Sequence, residues 1–125
     1  RSEERLLQEL IVAVVAGWEL RRDRQRFLEA LHQSLQADLA SLMALHPQHD
    51  SGAIAEQAHK VLSAARMLEA PDLMAACEAL EASGLTTAQV RLRRQALARH
   101  MRRVDRALAR ELTTSTVTQA GSQAC

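Results

Sequence analysis

An all-α fold, an antiparallel up-and-down four-helix bundle with an additional N-terminal helix, is predicted by three observations. Hydrophobic residues make up 47% of the 125 positions but aromatics only 2%, with four glycines and two prolines, so helix formers dominate while strand formers and turn punctuation are scarce. Apolar residues recur at three- and four-residue steps through several segments, the period of an α-helix with one buried stripe. The breaks between those segments are few and short, which favours antiparallel neighbours. At this length the chain holds one domain with a real core and is too short for two ordinary ones.

Taken in order, Ser2 with Glu3 and Glu4 makes a modest helix start, and Leu6, Leu7, Leu10, Ile11, Val14 and Val15 give a helix over about 3–16 that is apolar across a wide arc. Such an arc must be covered, by the bundle or by a second copy, which makes this helix a candidate dimerisation element as well as a cap on one end of the bundle. Gly17 and Trp18 predict a bend or break, with Asp23 capping the next helix. Phe27, Leu28, Leu31, Leu35, Leu39, Leu42 and Leu45 carry that helix over 23–46, and Pro47 ends it by pushing its predecessor out of the α region. The segment 46–52, HPQHDSG, is the clearest loop, and Asp50 or Ser51 can cap the helix that follows over 52–69.

Pro71 suits the first turn of a short helix over 71–83, whose inner positions are Leu73, Met74, Cys77 and Leu80 and whose stop is Ser83 and Gly84. Thr86 or Thr87 caps a last helix over 86–112, with Val90, Leu97, Met101, Val104 and Leu108 at bundle spacing. The bundle core is therefore expected at about 20–112 within a domain of residues 1–112, and the polar stretch 113–125, without a useful period, reads as a disordered tail. Met43, Met67, Met74 and Met101 read as core fillers, and Cys77 as a small core residue.

The net charge of +1 gives no overall signature for nucleic acid or acidic lipid. A local run, Arg91, Arg93, Arg94, Arg99, Arg102, Arg103, Arg106 and Arg110, surrounds the last helix without aromatic interleaving, so it reads as a solvated bundle face partly neutralised by acids such as Glu78 and Glu81; no nucleic acid is expected as a partner. Two cysteines, with Cys125 at the very end, do not suggest a disulfide framework and fit a reducing compartment. The longest apolar run, Leu10 to Trp18, is far below the roughly 20 residues that span a bilayer, so no direct membrane contact is expected. The chain starts without Met or a signal-peptide pattern, as a segment of a longer protein would. A Gly-rich phosphate loop, carboxylates paired around a cleft and Cys/His metal spacing are all lacking, so neither a metal nor a cofactor is expected to be held by this chain.

The chemistry concentrates in residues 54–69, IAEQAHKVLSAARMLE. Ile54, Ala58, Val61, Leu62, Ala65 and Leu68 form the buried stripe, and His59 is off it. At about 100° per residue Ser63 lies one turn and Arg66 two turns beyond His59, with Lys60 on the flank: a solvent-facing imidazole with a small neighbour and two cations. His59, the apolar residue at 61, the small residues at 63–65 and then APDLMAACEALE at 70–81 resemble a histidine-containing phosphotransfer (HPt) domain, of the type at the C-terminus of hybrid sensor histidine kinases. That family usually reads His-x-x-Lys-Gly with another Gly before the next helix, where this chain has Leu62, Ser63 and Glu69. On the wheel Leu62 belongs to the buried stripe; whether it turns inward or joins an apolar docking patch is left open by spacing alone.

The resemblance implies a phosphorelay intermediate, a carrier without independent catalytic machinery. His59 would accept a phosphoryl group from the aspartate of a response-regulator receiver domain and pass it to another receiver, with Mg2+ supplied by the receiver. A neutral imidazole is a competent nucleophile toward phosphorus, and the charge spread over the equatorial oxygens of the transition state calls for cations nearby. Lys60 and Arg66 are the candidates, while Ser63 allows close approach and offers a hydroxyl. The alternative is a degenerate adaptor bundle that docks a partner without phosphotransfer. The family context implies a cytoplasmic location, with a membrane-bound sensor kinase as the parent.

Overall fold

The computed structural model describes residues 2–124, with side chains for 5–9, 11–13 and 16–113, and is all-helical over four elements. They are α1 (Ser2–Ala44), α2 (Ser51–Met67), α3 (Pro71–Glu81) and α4 (Thr87–Ala124). Consecutive helices pack on one another and α4 closes the ring against α1, the up-and-down arrangement that short connections favour. The opposite sense of α1 and α4 is fixed by their cross-links: Arg24 meets Glu111, His32 meets Asp105, and Arg94 donates to the carbonyl of Leu45, so climbing one helix descends the other.

One core runs down the axis. Leu28, Leu31, Leu35 and Leu42 of α1 meet Ile54, Ala58, Val61, Leu62 and Ala65 of α2, Leu73, Cys77 and Leu80 of α3, and Val90, Leu97, Met101 and Leu108 of α4. These are the helical-period positions of the sequence, and burying each large one is worth about 1.5–3 kcal/mol. Three expected members are displaced: Phe27, next to the buried Leu28, and Met43 and Met67 are exposed, while Met74 is half-buried and Met101 fully buried.

The helix ends follow local chemistry. Thr86 and Gln89 form a capping box, the Thr86 hydroxyl accepting from the Gln89 amide at 3.1 Å and the Gln89 side chain accepting from the Thr86 amide at 2.8 Å. Asp50 occupies the N-cap of α2 but makes no side-chain cap bond; its carboxylate instead accepts the His46 amide at 2.8 Å, tying down the loop that follows α1. At the other end of α2, the Glu69 amide donates to the Arg66 carbonyl and the Ala70 amide to the Ala65 carbonyl, with Glu69 at φ 51°. This is a Schellman closure, and Glu69 holds the left-handed position that glycine usually takes. Gly84, at φ 72°, turns the chain between α3 and α4.

Two expected boundaries move. No break exists at Gly17 and Trp18: α1 is continuous over 43 residues, about 64 Å, so Asp23 is an interior residue and not a cap. A single glycine costs a helix only about 1 kcal/mol, and the good helix formers on either side absorb it. The N-terminal helix is thus present but fused to the first bundle helix, and it does not cap the bundle, since Leu6, Leu7, Ile11 and Val12 are exposed. At the other terminus α4 continues beyond 112 to Ala124, into the stretch 113–125 that the sequence reads as a disordered tail. Expectations on the Ser2 start, Leu10, Val14, Val15 and Cys125 lie outside the described side chains.

Candidate functional site

The site is built on the outward face of α2. Inward residues on this helix, from Ile54 to Ala65, are almost fully covered, which fixes the rotation of the helix and turns His59, Lys60, Ser63 and Arg66 to solvent. All four expected residues therefore share one exposed face, and Met67 extends it. Leu62 resolves inward, with 2% of its surface exposed, so the position where the resembled motif carries lysine is a core position here. The exposed cations on this face of α2 are Lys60 and Arg66.

Sequence reasoning missed the residue in direct contact with the imidazole. Glu81, the last residue of α3, places Oε1 2.6 Å from Nδ1 of His59. The His59 side chain is 72% exposed and that of Glu81 only 28%, so the carboxylate is held from below while the ring stands above the surface. Glu81, expected from the sequence to neutralise part of the arginine run, is instead the partner of His59. The signal lay in the hairpin: α2 and α3 fold back about Ala70, and residues 59 and 81 lie equally far from that turn. An ionised carboxylate only accepts, so Nδ1 carries the hydrogen and donates it to Glu81, leaving the Nε2 lone pair with no hydrogen bond in the described structure.

One turn before Glu81 on α3, Cys77 is buried beneath it. Burial first, then the charges of Glu81 and Glu78, push its thiol up to about 12, so at neutral pH it is a protonated core side chain and not a second nucleophile.

The arginines of α4 divide by role. Arg93 donates to the Ala79 carbonyl at 2.7 Å, and Arg94 to the Leu45 carbonyl; both satisfy carbonyls left open where α3 and α1 end. Asp105 and Glu111 of α4 reach across to His32 and Arg24 of α1. Arg91, Arg99, Arg102, Arg103 and Arg106 face solvent. His46 and His49 stack in the first loop, ring centroids 4.7 Å apart. Among the described residues no group of three or more His, Cys, Asp and Glu side chains is placed to hold a metal ion, and no described helix is long and apolar enough to cross a membrane.

A family model, Hpt domain, matches residues 26–116, most of the chain and the whole of the packed bundle. The chain belongs to the Hpt domain family. No curated protein and no solved structure matches it. An Hpt domain implies a histidine phosphotransfer role in a phosphorelay, in which such domains interact with the receiver domains of response regulators. The match leaves out the first 25 residues, so the N-terminal half of α1 lies outside the family's own pattern.

Proposed function

We propose that this Hpt domain carries its phosphoryl group on Nε2 of His59, accepting it from the aspartyl phosphate of one receiver domain and passing it to a second. The observation that carries the reading is the exposed His59 ring with Nδ1 held by Glu81. In the forward step the Nε2 lone pair attacks phosphorus in line, the bond from phosphorus to the aspartate oxygen breaks, and the receiver recovers its carboxylate. No proton has to leave Nε2, because the tautomer selected by Glu81 already keeps it bare. The ring becomes positively charged as the bond forms, and the carboxylate of Glu81, 2.6 Å from Nδ1, stabilises that charge by its hydrogen bond. Return transfer runs the same sequence backward.

Lys60 and Arg66 supply positive charge to the equatorial oxygens, and Ser63 leaves room for the partner while offering a hydroxyl. Helical side chains lean toward the N-terminus, which brings Arg66 back toward His59. The chain holds no metal in this scheme; Mg2+ belongs to the receiver. A hybrid sensor kinase with this domain at its C-terminal end, on the cytoplasmic side of a membrane, is the parent this reading favours.

Incubation with a phosphorylated receiver tests it. Acid-labile, alkali-stable label on the wild type and none on His59→Gln is the expected result. Lys60→Ala and Arg66→Ala each slow transfer a few-fold without abolishing it, since each contributes one screened charge. Binding of the receiver without any label on the wild type would instead mark a docking adaptor.

A further inference from the structure

Glu81 can hold the His59 ring only while the end of α3 stays in place, and that end is weak by its own sequence. Glu81 is the last residue of the helix, and Ala82 leaves it in an extended conformation at φ −65° and ψ 144°. The last turn carries no basic side chain of its own to answer the helix dipole and its open carbonyls. By contrast, α2 closes on itself through the carbonyls of Ala65 and Arg66. What α3 lacks, α4 supplies. The Arg93 guanidinium donates to the Ala79 carbonyl at 2.7 Å, a charge-assisted bond placed two residues before Glu81. Leu80, 3% exposed, packs the inner side of the same turn into the core. The Glu81 carboxylate pairs with His59, so Arg93 secures the backbone of the turn without drawing the carboxylate away.

We infer that Arg93 is a positioning residue: by clamping the last turn of α3 it keeps Glu81 against Nδ1 of His59, and so keeps Nε2 bare. The contact it protects has little slack. From 2.6 Å, a displacement of about 1 Å takes Oε1 beyond hydrogen-bond range. Without that acceptor the single hydrogen of a neutral imidazole redistributes over both nitrogens, and part of the population loses the lone pair on Nε2. The consequence for phosphoryl transfer rests on the reading of His59 proposed above; the consequence for the tautomer does not. Arg94, one residue on, makes the same kind of bond to the Leu45 carbonyl after α1, where no side chain of the site is carried. The two arginines are alike in chemistry and differ in what their bonds hold.

Nitrogen-15 NMR of the neutral His59 ring tests the positioning on the full chain, alongside label transfer from a phosphorylated receiver. The wild type should show hydrogen on Nδ1. Arg93→Ala should shift the ring toward a mixture of tautomers and slow transfer on the order of tenfold. In a Glu81→Ala background the same substitution should leave the rate unchanged, because Arg93 acts through that carboxylate. Arg93→Lys keeps one donor for the Ala79 carbonyl and should restore most of the wild-type tautomer and rate. Arg94→Ala should alter neither, although it too removes a cap and lowers the melting midpoint. Spectra taken below each variant's melting transition, followed by circular dichroism, keep lost folding apart from lost positioning. A wild type without hydrogen on Nδ1, an unchanged tautomer in Arg93→Ala, the same mixture in Arg94→Ala, or equal slowing with and without Glu81 would each overturn the inference. No label on a wild type whose tautomer still follows Arg93 would overturn the relay and uphold the positioning.

Discussion

Two histidine–carboxylate pairs in this bundle are near copies chemically and opposites in setting. His59 and Glu81 join α2 to α3 at 2.6 Å; His32 and Asp105 join α1 to α4 at 2.5 Å. Each sets one ring nitrogen against one carboxylate oxygen. The His59 side chain, however, is 72% exposed, while His32 and Asp105 are 24% and 20% exposed in the seam between two long helices. The pairing therefore cannot distinguish a phosphoacceptor from a structural clasp. Access does: on the proposed reading a receiver must bring a phosphorus atom in line with a ring nitrogen, and of these two rings His59's is the exposed one.

The largest effect should divide the pairs completely. His59→Gln is expected to lose all phosphoryl label from a phosphorylated receiver while keeping the wild-type melting curve, and His32→Gln to keep the label; label on His32 in the His59 variant would break the comparison. Next in size is stability. His32→Ala or Asp105→Ala should cost about 2 kcal/mol in denaturant unfolding, because each leaves the other member of a half-buried pair without its hydrogen bond. An unchanged midpoint would deny the clasp its role.

Glu81→Gln sharpens the comparison from the other side. The amide oxygen can still accept from Nδ1 but brings no charge, so transfer should slow about tenfold, or ~1.4 kcal/mol of transition-state stabilisation, with little change in stability. A rate equal to the wild type would reduce Glu81 to orientation alone. The smallest effect belongs to the turn that sets Glu81 opposite His59: Glu69→Gly should raise stability by about 1 kcal/mol or less, since glycine takes φ near 51° without a Cβ penalty, and should leave transfer as it was. Destabilisation would mean that the Glu69 side chain matters more than its backbone.

Much of this molecule was legible before any coordinates. Periodicity alone determined that residues 54–67 lie in a helix with His59, Lys60, Ser63 and Arg66 off its buried stripe, and composition alone determined an all-helical chain, because a stripe and its turn signals are local properties carried by neighbouring residues. Tertiary structure decided what depends on two segments meeting: that Leu62 closes into the core, that Glu81 meets the His59 ring and not an arginine, and that Asp105 serves His32. The fate of Gly17 shows the same limit within a single helix. A glycine marks where a helix could break, but the balance between its cost of about 1 kcal/mol and the helix formers on either side is settled over the whole segment, and here the helix runs through.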